Sequence, residues 1–524
     1  MQNPSIFNDV LGPVMRGPSS SHTAASWRIG TLAVDLLDEP VRAALVEFDE
    51  QGAWAPNYEE QGTVLGMDGG LLGIDIVDEQ IIRGGDIARE RGIRIEYRVS
   101  RFPTDHANTV RLTLTGESGK RQVMVAVSLG GGMFEARMLG GHPISMQGDY
   151  YELVAWTSGQ PPAEDKVRLG TLTGPGARCM WSLNESGGFV RVQSSSPIPA
   201  AAVEEIRRLG WVDSASLVEP IMPIISGRSG DFPFTTYAEA IAYNATAGHS
   251  LGELGIEYET IRSGLDEAAV VGKMRELVGL IESSISTGLA GTSYADRILP
   301  QQSHRIRAAE VEGRLPADHL VNRLIENITA IMEAKSAMQV VVAAPTAGGC
   351  GALGGTIKAV ADARGITEEA KIKAYFAAGI VGVFFARGPG FSAEEGGCQL
   401  ETGAAACMAA AALVDLCGGT AAQALAAASM ALQNTIGLVC DPVADRVEVP
   451  CLGKNITAGM NALAASTMAL SGFDSVIPLD EVIQTVSAVA AKMPRSHCCT
   501  GTGGLAATPT SARLKEELRA GCAC

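Results

Sequence analysis

The sequence predicts a multidomain α+β protein: an N-terminal α/β-type sandwich domain, a small α+β middle unit and a C-terminal all-α bundle. Three observations carry this. The chain has 524 residues, enough for two to four domains and an ample core. Alternating, β-branched runs are concentrated in the first 220 or so positions. Beyond about residue 235, Ala, Leu, Met and Gly dominate, with few aromatics and little alternation.

Within 1–150, residues 24–37 read as a helix and 86–91 as a short one. The segments 93–99 (IRIEYRV), 109–115 (TVRLTLT) and 122–129 (QVMVAVSL) read as strands, because apolar and β-branched residues run between Gly, Ser and Pro. Within 151–235, extended by one residue at its start, 150–156, 178–183, 188–193 and 214–218 are strand candidates, and 200–209 (AAAVEEIRRL) is an amphipathic helix. Such a unit is either a regulatory or spacer module or an extension of the first domain. Within 236–524, helices are predicted over 266–283, 317–338, 368–385, 404–416, 421–433, 456–470 and 479–491. Their Ala content lets backbones approach closely, so a tight bundle with buried central helices is expected.

A net charge of −17 repels nucleic-acid backbone and anionic membrane, so neither is expected as a partner. Only 19% of residues are charged, which excludes a largely disordered chain and suggests surface buried against a partner subunit. The most apolar stretch, 374–386, is shorter than the ~18 residues a membrane span needs. The N-terminal residues lack a secretory signal pattern, so a cytoplasmic location is expected. In a reducing compartment the 11 cysteines are buried thiols, metal ligands or reactive groups rather than disulfides.

No CxxC pair occurs. Cys398, Cys440 and Cys451 stand out by context instead, each beside Gly or Pro at an expected helix end: GGCQLETG, GLVCDPV and VPCLGKN. Three thiolates leave one position open on a metal or cluster, where a substrate oxygen could bind and be polarised. The plain alternative for each is a small buried hydrophobe, the reading also given to Cys179, Cys350, Cys407 and Cys417. Near the N-terminus, GPSSSHT sets Ser19, Ser20, Ser21 and His22 in a Gly/Pro-framed loop before a helix. This is either a carboxylate-binding nest or a hydroxyl N-cap. A second imidazole, His106, lies near Asn108 in DHANTVRL, and SLGGGMF (128–134) ends a strand in a glycine turn. PTAGGCGALGG (345–355) precedes a helix but lacks GK[ST], so it is no P-loop. No lysine has a context that marks a Schiff base.

In this order, GPSSSHT, HANT, SLGGG, AAPTAGGCG, GGCQLETG, GLVCDP, VPCLGKN and GTGGLA resemble the hallmarks of the iron–sulfur-dependent L-serine dehydratases. The resemblance implies a β-type domain followed by an all-helical α-type domain, and a homodimer. It also implies a [4Fe–4S] cluster on Cys398, Cys440 and Cys451 and no pyridoxal phosphate. The implied reaction is β-elimination of water from L-serine, giving pyruvate and ammonia, with the open iron as Lewis acid on the hydroxyl. Ser19, Ser20, Ser21, His22, His106 and Asn108 would line the substrate pocket, and Glu401 would hydrogen-bond near the cluster.

The sequence departs from that family's pattern in places. Many members read Gly-His-Gly-Thr, whose histidine resembles the catalytic base, where this chain has Glu60-Gln61-Gly62-Thr63; Gln61 cannot accept a proton, so either His22 or His106 takes over as base or the substrate differs. Gly453-Lys454-Asn455 stands for Glu-Arg-Asn, replacing a bidentate fork by a point charge. Gln61, Lys454 and Asn455 are carried as substrate-binding positions. The C-terminus adds a charged helix (SARLKEELRA) and ends Gly-Cys-Ala-Cys; Cys524 is a candidate resting-state ligand of the open iron, with Cys522 beside it. Cys498 and Cys499 receive no role. Two rival readings follow from Gln61 and Lys454. One is a lyase for another β-substituted amino acid (threonine, 3-hydroxyaspartate or cysteine); the other is a catalytically silent cluster-bearing sensor.

Overall fold

The computed structural model describes residues 3–174, 176–185, 187–227, 232–295, 297–316 and 318–521, the side chains of 166, 167 and 171 excepted. It is a multidomain α+β protein with a helical C-terminal region. Cys522 and Cys524, named above as candidate ligands, lie outside the described residues.

The first sheet has six strands, in spatial order Arg94–Ser100, Val41–Asp49, Thr109–Gly116, Arg121–Gly130, Met133–Leu139 and His142–Met146. Val41–Asp49 pairs parallel with Arg94–Ser100 and antiparallel with Thr109–Gly116, Val46 facing both Tyr97 and Leu112. Every other pairing is antiparallel. The sheet is therefore a mixed one with a single parallel pair, more α+β than the expected α/β type. The parallel pair needs a long crossover, and that crossover carries the helix Thr63–Leu72, which the sequence reading did not mark. This helix packs closely on Ala25–Leu37. A Cβ at Gly70 would lie 2.2 Å from the Trp27 carbonyl oxygen, so only glycine permits the approach.

The middle unit runs strand, helix, strand, strand, helix, strand, with spatial order Ser214–Val218, Tyr151–Thr157, Gly187–Ser194, Arg178–Asn184, all antiparallel. This is the ferredoxin-like split βαβ arrangement. One face packs on its own helices, Leu153, Val190 and Val192 sharing a core with the helix residue Ile206. From the same strands, Val154, Phe189 and Val218 join the core of the six-stranded sheet.

The helical region holds the largest core. Its centre is Ala404–Leu416, in which every residue is buried. Small residues bring neighbouring helices together: a Cβ at Gly288 would stand 2.0 Å from the Ala330 carbonyl oxygen. Ends are set by side-chain caps, with reciprocal capping boxes at Ser250/Glu253 and Thr420/Gln423. The apolar helix Glu368–Ala386 is buried in this bundle, and no helix among the described residues is long and apolar enough to cross a membrane. Residues 3–15 also belong here physically. Ile6, Phe7, Val10 and Leu11 enter the helical core, and Val14–Met15 pairs with Val341–Val342. This strap ties the start of the chain to the helices and positions the GPSSSHT segment against them.

Candidate active site

Four buried cysteines converge from three distant stretches. Cys398 precedes a π-helical turn (Gln399–Gly403), and Cys451 is the first residue of the helix Cys451–Leu470. Cys440 is not at a helix end but forms an isolated backbone bridge with Cys498. The thiols of Cys398 and Cys440 hydrogen-bond each other, and Cys440 also reaches Cys499. Cys499 is clamped by its backbone: its N–H donates to the Cys440 carbonyl (3.0 Å), and its own carbonyl accepts from Asn57 Nδ2 (3.0 Å). Its φ of 61° is a left-handed conformation, costly for a residue with a Cβ and held here by these contacts. The hydrogen bond from Cys440, together with the Lys454 ammonium, draws the Cys398 thiol below its ordinary range, while Cys440, as donor, is raised. Burial pushes Cys451 up to about 12, against the pull of the Lys335 and Lys454 charges; the neighbouring Cys398 adds to the rise. Among the described residues, no three metal-ligating side chains gather tightly enough for a single ion. The donor set is nonetheless soft and compensated by cations. Lys454 Nζ lies 3.8 Å from Cys398 Sγ and is anchored by Asp441 (2.6 Å) and the Val439 carbonyl (2.6 Å). These thiols are suited to holding an iron–sulfur group.

His22 is fully buried beside them. The expected loop of Ser19–Thr23 is instead a π-helical turn, Ser20–Ala24, running into the helix Ala25–Leu37. Ser19 makes no helix cap; its hydroxyl donates to His22 Nδ1 at 3.0 Å. His22 Nε2 faces Asn57 Oδ1 at 3.0 Å. An amide oxygen only accepts, so Nε2 carries the proton and Nδ1 is the basic atom. Glu394 Oε1 lies 3.5 Å from Nδ1, and both side chains are buried. Burial lowers the His22 pKa, and the Glu394 charge partly restores it. The imidazole is thus neutral at pH 7 with a counter-charge ready for its protonated form.

Around this pair, Ser20 Oγ accepts from Ala347 N at 3.2 Å, joining the first turn to the glycine-rich loop before the helix Cys350–Arg364. That loop presses on Glu401: a Cβ at Gly348 would lie 2.9 Å from both carboxylate oxygens. Burial, then Cys398 and Glu394, push Glu401 up to about 8, so it holds a proton at neutral pH. Lys335, fully buried, donates to the Val447 carbonyl at 2.7 Å. Ser21 Oγ and both polar atoms of the Asn108 side chain are buried without a hydrogen-bond partner. Such atoms need an explanation, and a polar ligand is one. Asn108 is tied to the His22 surroundings through its neighbour: Ala53 N donates to the Ala107 carbonyl (2.9 Å), and Trp54 packs on the His22 ring (5.7 Å between centroids).

His106 is half-buried, its Nδ1 accepting from Asn108 N at 3.1 Å; burial lowers its pKa, against the raising effect of Glu395. Gln61 is buried and donates through Nε2 to Cys499 Sγ at 3.4 Å, so it meets a thiol rather than open space. Asn455 uses its amide on backbone, accepting from Ala352 N (2.9 Å) and donating to the Gly348 (2.7 Å) and Cys451 (2.9 Å) carbonyls, which fixes the loop to the helix. The sequence reading missed Asn57, Lys335, Glu394 and Cys499. The adjacent cysteines followed by Thr and Gly, and the acidic pair just before GGC, were the available signals.

Comparison with known proteins gives a consistent picture. A family model described as serine dehydratase alpha chain matches residues 200–506. The chain is 37% identical over 249 residues to a probable L-serine dehydratase alpha chain of Bacillus subtilis (strain 168), spanning 48% of this chain and 83% of that one. It is 29% identical over 272 residues to the L-serine dehydratase alpha chain of Peptoniphilus asaccharolyticus, spanning 52% and 93% respectively. It is also 39% identical over 150 residues to a probable L-serine dehydratase beta chain of Bacillus subtilis (strain 168), spanning 29% and 66%.

Proposed function

This chain belongs to the serine dehydratase alpha chain family, and from that premise we propose that it β-eliminates water from L-serine at the His22–thiol site, giving pyruvate and ammonia. It is a lyase acting on L-serine. The observation that carries the finer reading is the meeting of a neutral, carboxylate-backed imidazole with a cation-flanked group of thiols. Cys398, Cys440 and Cys451 would hold a [4Fe–4S] cluster, which when bound supplies a Lewis acid for the departing hydroxyl.

His22 Nδ1 is the atom suited to take the α-proton, since Nε2 is committed to Asn57. As the imidazole gains charge, Glu394 stabilises it and Ser19 orients it. Ser21 and Asn108 have unused polar atoms that would bind the substrate carboxylate. Protonated Glu401 would donate to the leaving oxygen rather than repel it. Complete burial of His22 excludes bulk water, which strengthens each of these charges. The aminoacrylate released tautomerises and is hydrolysed.

Anaerobic purification tests this directly. The expected protein is brown, contains iron and sulfide in equal amounts, and forms pyruvate from L-serine until air bleaches it. Pyruvate formation that requires added pyridoxal phosphate, in a protein without iron, would overturn the reading.

A further inference from the structure

Lys335 is a buried lysine whose charge the proposed reaction does not use. It stands one residue from the end of the helix His319–Ser336, with none of its surface exposed. Its ammonium group has three N–H bonds to place and, among the described residues, one acceptor, the Val447 carbonyl at 2.7 Å. No carboxylate among the described residues forms an ion pair with it. The carboxylates beside it and beside Val447 in the sequence are engaged elsewhere. Glu333 accepts from Gln302 N, Ser303 N and Ser303 Oγ. Glu448 accepts from Ile298 N and Leu299 N. Glu401 is held protonated by burial, against the pull of the Lys335 charge. Buried charges in proteins are paired or bound to a metal, because an unpaired one forfeits its hydration. Such an ammonium calls for an anion beside it.

Its neighbours identify that anion. Burial raises the Cys451 and Cys350 thiols, and at both the Lys335 charge pulls the other way. Val447 lies in the turn that leads into the helix Cys451–Leu470. Lys335 therefore stands on the Cys451 side of the thiols. Lys454 stands on the Cys398 side, 3.8 Å from Sγ, but Asp441 at 2.6 Å already matches its charge. Three thiolates outweigh the charge of an oxidised [4Fe–4S] core, so the loaded site is anionic, and reduction by one electron makes it more so. Net charge at the sulfurs is one of the terms that set the potential of such a group. A charge fully shielded from water acts on it with little screening. We propose that Lys335 is the counter-charge of the iron–sulfur group, holding its reduction potential up and its iron electron-poor, and so a stronger Lewis acid for the serine hydroxyl. Lys335 is a positioning residue in this sense: it acts through the group, not on the substrate. This role rests on the reading that Cys398, Cys440 and Cys451 hold that group.

Reductive titration of the anaerobically purified full chain with dithionite, read by electron paramagnetic resonance, is the test, with Lys335→Met, Lys335→Gln and Lys335→Arg in parallel. Met keeps the length of the side chain and removes its charge. At the wild-type midpoint potential and equal iron per chain, the reduced-to-oxidised ratio should fall at least tenfold in Lys335→Met, a shift of about 59 mV for a one-electron couple. Lys335→Gln should behave alike, and Lys335→Arg should stay within threefold of wild type. Thermal melts add a second readout. In the iron-free protein the ammonium is an unpaired buried charge, so Lys335→Met should melt no lower than wild type. On loading with iron, it should gain less in Tm than wild type does. A ratio within threefold of wild type in Lys335→Met, an equal fall in Lys335→Arg, or an iron-free Lys335→Met that melts lower than wild type would overturn the proposal and leave the catalytic reading intact. A wild type without iron overturns both. A protein that shows these shifts but makes no pyruvate would refute the catalytic reading and leave this one standing.

Discussion

Glu394→Gln isolates the role of the carboxylate behind His22. Gln keeps the size of the side chain and can still accept from Ser392 Oγ. What it removes is a negative charge 3.5 Å from Nδ1, with neither group exposed to water. At an effective dielectric constant of about 20, two unit charges at that distance attract by about 5 kcal/mol. Relaxation and the polar neighbours Ser19 and Asn57 take up part of this, so a loss of about 2 kcal/mol in the protonated state is expected, roughly thirtyfold in rate. The sign for pH follows from the same charge. Glu394 raises the His22 pKa against burial, so its removal lowers that pKa further and shifts the acid limb of kcat/KM to lower pH. The assay is pyruvate formation across pH 5–9 under anaerobic conditions, with iron content measured in each sample. An acid limb at the wild-type position, together with a plateau within twofold of wild type at equal iron, would refute His22 as a base backed by Glu394.

Further outcomes follow from the same geometry. Cys398→Ser, Cys440→Ser and Cys451→Ser should each lower bound iron and the visible absorbance severalfold, whereas Cys407→Ser, deep in the helical core, should lower stability instead; iron assays and thermal melts separate the two. Glu401 is raised from 4.5 to about 8 by burial, Cys398 and Glu394. Native stability therefore falls as pH rises through that interval, because the unfolded carboxyl ionises first. Glu401→Gln removes this slope, so its Tm relative to wild type should climb between pH 5 and 8; a constant difference contradicts the assignment. Within one helix, Gly279→Ala meets nothing within 4 Å and should stabilise by about 0.5–1 kcal/mol. Gly288→Ala drives a Cβ to 2.0 Å from the Ala330 carbonyl and should cost several times as much in chemical denaturation.

The arrangement of the helical half was legible because its signals are local. The helices Ala404–Leu416 and Ala421–Gln433 begin and end where composition and the Thr420 cap place them. Strands such as Thr109–Gly116 were legible through alternation. The helix Thr63–Leu72 was not, because its Gly-rich sequence has little helical preference and is held by packing on Ala25–Leu37. At the candidate site, residue types named Cys398, Cys440, Cys451 and His22, since thiols and imidazole announce their chemistry wherever they stand. Sequence suggested a nest or a cap at Ser19; only the fold turned its hydroxyl onto His22.

By itself, then, the sequence determined the family, the order of α+β and helical parts, and the inventory of chemical groups, all of which depend on residue identity and short-range spacing. Tertiary structure decided the pairings between distant positions: Glu394 with His22, Gln61 with Cys499, and Lys335 with the Val447 carbonyl. The reason is physical. Burial and partner choice set whether a carboxyl, thiol or ammonium is silent or reactive, and both arise only when segments hundreds of residues apart are packed together.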